Sequence, residues 1–90
     1  MLTIKPTSRF QKDVKRAQKR GYDMALLTEI IKQLAAGEPL PAKNLNHALS
    51  GNFAGCRECH ITPDWLLVYE IADEELVLYL LRTGTHSDLF

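Results

Sequence analysis

The sequence predicts an α+β domain: two N-terminal helices packed on a small antiparallel β-sheet. Three observations point to it. Apolar residues recur at helical spacing up to about residue 35, and after residue 55 they fall into short strand-like runs. Pro6, Gly21, Gly37, Pro39 and Pro63 punctuate the boundaries. Helices followed by strands, rather than alternating with them, favour α+β over a doubly wound sheet. Ninety residues leave room for one core, so a single domain is expected over 1–90.

Leu2 to Lys5 reads as a short strand closed by Pro6. Thr7 or Ser8 can cap a helix that runs to about Arg20, with Phe10, Val14 and Ala17 on one face and Lys12, Lys15, Arg16, Lys19 and Arg20 on another. Gly21 suits the left-handed turn that ends it. Asp23 then caps a second helix whose stripe is Met24, Leu27, Ile31 and Leu34, with Ile30 beside it; Gly37 and Pro39 stop it. So short a link predicts antiparallel helices. Leu40 to Gly51 is a connection with a short strand around His47 to Leu49. Gly55 to Ile61 alternates as a strand, and Pro63-Asp64 turns. Trp65 to Ile71 and Leu76 to Leu81 are nearly all apolar, which marks central strands, with Asp73-Glu74 turning between them.

Composition excludes several classes. No apolar run approaches the roughly 20 residues of a membrane span. Two cysteines are too few for a disulfide scaffold, and residues 1–10 lack the features of a secretion signal, so the cytoplasm is the expected compartment. The net charge of zero hides a dipole. Residues 1–35 carry eight basic against three acidic side chains, net +5; residues 36–90 carry three against eight, net −5. The basic half can approach a polyanion that the whole molecule would not attract.

The reactive side chains are concentrated in the second half. His47, His60 and His86 all lie there, together with Glu58, Asp64, Arg57 and Arg82. Strand alternation sends Glu58 and His60 to one face and Arg57 and Cys59 to the other. Arg82 closes the last strand, and His86 follows after the turn Thr83-Gly84-Thr85. Imidazoles exchange protons near neutrality. A fixed arginine holds a phosphate and stabilises charge on its oxygens. Two imidazoles and an arginine therefore suffice for metal-free attack of a ribose 2′-hydroxyl on its own phosphodiester, and no metal or cofactor is expected. Each residue also has a plainer reading. Trp65 suits the core, Asp64 a turn, Arg82 a surface bridge to Glu58 or Asp88, Phe90 a terminal plug, and the basic stripe a solvated face. Cys56-Arg-Glu-Cys59-His60 spells a c-type haem attachment signature. Residues three apart in a strand diverge, however, which argues against haem or zinc there.

Several segments resemble the YafQ-type toxins of the RelE superfamily. They are His47-Ala-Leu-Ser-Gly51, Arg57-Glu-Cys-His60, Pro63-Asp-Trp65 leading into Leu-Leu-Val-Tyr69, and Arg82-Thr-Gly-Thr-His86 through Leu89-Phe90. Upstream, Phe10-Gln-Lys-Asp-Val-Lys15 and Ala17-Gln-Lys-Arg20 are similar to the family's first helix, so the resemblance covers nearly the whole chain. It implies a RelE-like fold and cleavage of mRNA in the ribosomal A site, leaving a 2′,3′-cyclic phosphate and a 5′-hydroxyl. It also implies silencing by a cognate antitoxin. On this resemblance His47, His60, Asp64, Arg82 and His86 match active-site positions, and Glu58 matches a glutamate of some relatives. Trp65 and Phe90 match positions linked to the site's shape, and Lys12, Lys15, Arg16 and Lys19 are candidates for ribosomal RNA contact. His47 and His86 are then the acid–base pair, His60 and Asp64 assist, and Arg82 holds the phosphate. The competing expectation is a binding toxin, such as the gyrase-directed ParE branch, which lacks this histidine set, or an inactive antitoxin-binding homologue.

Overall fold

The computed structural model describes residues 1–90. In chain order it has β1 (Thr3–Pro6), α1 (Ser8–Lys19), α2 (Met24–Ala35), β2 (His47–Ala48), β3 (Arg57–Thr62), β4 (Trp65–Ala72), β5 (Val77–Gly84) and α3 (His86–Leu89). Single 3-10 turns occupy Ala42–Asn44 and Gly51–Phe53.

The helix boundaries follow their caps. Thr7 Oγ1 accepts from Phe10 N at 3.1 Å and donates to Leu81 O at 3.1 Å, so one hydroxyl starts α1 and ties it to the sheet. A cap of this kind is worth about 1 kcal/mol. Gly21, at φ +79°, ends α1 in the left-handed conformation that glycine adopts freely, and Tyr22 N then reaches Ala17 O at 3.1 Å. Asp23 accepts from Ala25 N at 3.0 Å and starts α2.

Strand order is β1-β5-β4-β3-β2. The pairs from β2 to β5 are antiparallel, and β1 joins β5 in parallel, which makes the sheet mixed. That first-to-last pairing spans most of the chain and leaves no mark in local periodicity. Alternation fixes the faces. Cys59, Trp65, Leu67 and Tyr69 join Phe10, Ala17, Leu27, Ile30, Leu34, Ala35, Leu78 and Leu80 in the core between helices and sheet. Leu66 and Val68, on the opposite face of β4, are also fully buried but lie outside that cluster. Both faces of β4 are thus shielded, which is why its sequence runs apolar without alternation.

The last strand is longer than its apolar run: it continues to Gly84, so Arg82 and Thr83 lie within it, and the expected turn at 83–85 is strand followed by the cap of α3. β1 pairs with β5 only as far as Leu80. Beyond that point α1 and its cap satisfy the bare edge. Thr7 N donates to Leu80 O at 3.0 Å, Thr7 Oγ1 to Leu81 O, and Thr83 N to Asp13 Oδ2 at 3.1 Å. A strand edge left without partners would be a desolvation cost and an aggregation site.

Gly84 marks the crossing of three elements. A Cβ built there would lie 2.9 Å from both Cβ and Oδ2 of Asp88, and 3.1 Å from an Arg16 guanidinium nitrogen. Gly84→Ala should cost about 1–3 kcal/mol by overpacking. It should do so by displacing α3, so urea unfolding and the loss of α3 amide protection should move together. A variant as stable as the parent would contradict this close approach.

Candidate active site

Register places the reactive residues in rows across the sheet face opposite α1 and α2. His47 pairs with Glu58, Glu58 with Val68, and Val68 with Arg82; the next row runs from His60 through Leu66 to Gly84. His86 opens α3 just past the end of the second row. Thr85 and Asp88 cap that helix reciprocally, each side chain taking the other's backbone N–H. A four-residue helix is thereby held in place, and with it the His86 ring.

The imidazoles converge. Ring centroids are 6.5 Å apart for His47 and His60 and 5.8 Å for His60 and His86. Glu58 lies between the first two: its Oε1 is 3.7 Å from His47 Nε2 and 3.6 Å from His60 Nε2. Glu58 is buried, His60 is partly covered, and His47 and His86 are exposed. His86 Nδ1 stands 3.6 Å from Asp64 Oδ1 at the solvent surface. These spacings are ion-pair distances, longer than hydrogen bonds.

Backbone carbonyls fix two of the tautomers. His47 Nδ1 is 2.7 Å from Leu45 O, and His60 Nδ1 is 3.3 Å from Pro63 O. A carbonyl only accepts, so in each ring Nδ1 carries the hydrogen and, when neutral, Nε2 keeps its lone pair on the Glu58 side. The Leu45 carbonyl is delivered by a left-handed residue, φ +46°, a conformation costly for leucine. Neighbouring asparagines hold this segment: Asn44 Nδ2 donates to His60 O at 2.7 Å, while Asn46 Oδ1 accepts from Tyr69 Oη at 2.9 Å and from Arg57 Nε at 3.1 Å. Beside His60 an open hollow of about 460 Å³ is lined by Lys43, Asn44, Leu45, Ile61 and Pro63 among others.

Arg82 is held differently from either bridge expected of it. Its partner is Asp13, 69 residues earlier on α1, with Nε donating to Oδ2 at 2.6 Å and Nη2 to Oδ1 at 3.2 Å. That bond keeps the guanidinium pKa above its usual value. Across two strand spacings, roughly 10 Å, Arg82 faces Glu58 along the row. In the sequence Asp13 reads only as one acid on a basic helix.

Three expectations need correction. Trp65 is buried in the helix-side core, its ring tilted against Tyr22 at 5.0 Å and its indole N–H given to Thr83 Oγ1 at 2.9 Å, so it shapes the sheet from behind. Arg16 is not an unpaired cation like its lysine neighbours: it binds Asp13 Oδ1 at 3.2 Å and lies 3.8 Å from Asp88 Oδ2, while part of its side chain stays exposed. The convergence of Glu58, His60 and His86, whose ligand atoms lie within 4.8 Å of one another, also supplies a set of metal donors that sequence spacing did not suggest. Lys12, Lys15 and Lys19 are exposed as expected. Phe90 is 57% exposed and packs edge-on against Phe53 at 5.3 Å. Cys59 lies in the core on the face away from His60, and burial, with Glu58 adding to it, pushes its thiol up to about 12. Burial raises Cys56 as well.

Two helices on one face of a small sheet and a histidine–carboxylate cluster on the other make this a RelE-like fold. A family model described as bacterial toxin of type II toxin–antitoxin system, YafQ, matches residues 2–90. The chain belongs to the YafQ family. It is 42% identical over 88 residues to the mRNA interferase toxin YafQ of Escherichia coli K12, covering 97% of this chain and 94% of that protein. Among solved structures it is similar to a metal-bound toxin from Helicobacter pylori, at 46% identity, full coverage of both chains and a TM-score of 0.95. It is also similar to a chain of the Escherichia coli DinJ–YafQ toxin–antitoxin complex, at 41% identity, 99% and 97% coverage and a TM-score of 0.89.

Asp88 offers a pH test of how α3 is held. Arg20, at 2.6 and 3.1 Å, and then the Thr85 N–H keep its carboxyl well below the usual carboxylate range. A carboxyl depressed in the folded state stabilises above its unfolded pKa and loses that contribution as pH falls through its folded value. Asp88→Asn should therefore be less stable than the parent at pH 7. The gap should narrow progressively below about pH 4 in urea titrations. A gap independent of pH would contradict the ion pair as the cause.

Proposed function

We propose that this chain is an endoribonuclease toxin that cleaves mRNA in the ribosomal A site by metal-free acid–base catalysis, and that a cognate antitoxin silences it. The observation that carries the reading is the convergence of three imidazoles and two carboxylates on one open sheet face, with an arginine anchored in the same row. Its relatives carry the names of an mRNA interferase and of a toxin crystallised with its antitoxin. A ParE-like binding toxin would have no use for this histidine set.

Attack of a 2′-hydroxyl on the adjacent phosphorus needs three things: a base for the hydroxyl proton, an acid for the departing 5′-oxygen, and charge stabilisation on the non-bridging oxygens. His47, with Nε2 beside Glu58, serves as the base. His86 protonates the leaving oxygen, oriented by Asp64. His60 lies between them and shares Glu58 with His47. Arg82 keeps N–H groups for the phosphate while Asp13 holds its other edge. The products are a 2′,3′-cyclic phosphate and a 5′-hydroxyl. Exposed Lys12, Lys15 and Lys19 supply a cationic face for ribosomal RNA.

His86→Ala should slow single-turnover cleavage on a programmed ribosome by roughly 10²–10⁴-fold, the usual size of a general acid–base contribution. Its circular dichroism and antitoxin binding should be unchanged. Arg82→Ala should lose about 10²–10³-fold and also destabilise the protein, because it strips partners from buried Asp13. A folded His86→Ala protein cutting at the parental rate would move the assignment to His47 and His60.

Metal dependence is a separate test. Cleavage should survive EDTA once the ribosome's own magnesium is restored. Zinc should inhibit, because an ion on Glu58, His60 and His86 takes the lone pairs the chemistry needs. Activity lost on chelation and restored by zinc alone would overturn the metal-free mechanism.

A further inference from the structure

We infer that Asp13 is a positioning residue of the site: its buried carboxylate sets the Arg82 guanidinium and, through a chain of alternating charges, the short helix that carries His86. The inference rests on the proposed nuclease function and names a residue of that machinery on the far side of β5.

Asp13 is 6% exposed and accepts four hydrogen bonds, from Arg82 Nε and Nη2, from Arg16 Nη2 and from Thr83 N. A carboxylate on a helix surface needs none of these. Here it faces the stretch of β5 that β1 does not reach, so it replaces a neighbouring strand at Thr83 and a solvent shell at Arg82. Of the five guanidinium N–H groups, Asp13 takes two along the Nε–Nη2 edge and leaves three. A planar fork fixed along one edge presents the other in a set direction, which a free arginine does not.

The same carboxylate starts a relay. Arg16 contacts Asp13 at 3.2 Å and Asp88 at 3.8 Å, and Asp88 binds Arg20 at 2.6 Å. Asp88 is also the capping-box partner of Thr85, one residue before His86. Arg82, Asp13, Arg16, Asp88 and Arg20 thus alternate in sign from the phosphate anchor to the base of α3. Arg16 and Arg20 serve this frame, which separates them from exposed Lys12, Lys15 and Lys19 on the same helix.

Asp13→Asn keeps the shape and loses the charge. On programmed ribosomes its single-turnover rate should fall by about 10- to 100-fold, the scale of a small misplacement of a reacting group, while half-saturation by ribosomes is unchanged. In an Arg82→Gln background the same substitution should cost clearly less, since one of the two groups it positions is gone. Equal losses in both backgrounds, or a parental rate for Asp13→Asn, would overturn the inference. Should Asp13→Asn fail to fold, Asp13→Glu keeps the charge and shifts it by one methylene, and the same rate-selective loss is expected. The Arg82 Nε–H signal in nuclear magnetic resonance gives a readout independent of cleavage. It should be sharp and slow to exchange in the parent protein, and rapid exchange would sink the claim. If the parent cuts no RNA the nuclease reading fails, and this signal alone still decides whether Asp13 fixes Arg82.

Discussion

The structure depends on how the free end of β5 is closed. β1 is four residues long and stops pairing at Leu80, yet β5 continues to Gly84. Beyond Leu80 only the β4 edge of β5 is paired with a strand, and both Arg82 and the helix bearing His86 hang from this stretch. Thr7 and Asp13 close the opposite edge from α1, one through a hydroxyl and a backbone N–H, the other through a carboxylate. Helix packing is therefore also site construction: the element that buries Phe10 and Ala17 against the sheet grips the strand from which Arg82 projects.

The second constraint is the two-sidedness of the sheet. In β3 alternation sends Cys59 into the helix-side core and Glu58 and His60 to the opposite face, while β4 contributes Leu66 and Val68 as the buried apolar middle of each row. Polar chemistry on an apolar floor is useful because charges placed there are poorly screened. Glu58 shows the consequence: nearly out of solvent, it has two Nε2 atoms as its close neighbours. The exposed members, His47 and His86, stand on either side, open to solvent.

Much of this was legible in the sequence because it is local. Thr7, Gly21 and Asp23 announce the helix ends by their own chemistry, and the strand alternation at Glu58-Cys59-His60 sorts core from site before any fold is known. What was not legible is non-local. Nothing near Arg82 points to Asp13 69 residues away, and nothing in Leu2 to Pro6 says that it pairs in parallel with the last strand. The apolar run ends at Leu81, so the sequence suggests a strand closed by Arg82 and a turn from Thr83. The strand continues through Arg82 and Thr83 because α1 supplies their hydrogen bonds, a tertiary effect. The sequence leaves Trp65 between core and site; its burial and the Thr83 hydroxyl that takes its N–H place it in the core. His60 and His86 have no spacing that suggests shared ligation; a bulge between His60 and Thr62 and the short α3 bring them together.

The acid–base reading stands on the chemistry of the cut more than on its rate. The most direct measurement is to add the purified chain to a translating extract and map the new ends of a defined mRNA, together with their terminal groups. Attack by the 2′-hydroxyl leaves a 5′-hydroxyl on one fragment and a 2′,3′-cyclic phosphate on the other, at positions in register with the codon in the A site. New ends of that kind, present with the parent chain and absent with His86→Ala, are the expected result. Ends carrying 5′-phosphates, or no new ends at all while translation stops, would contradict it.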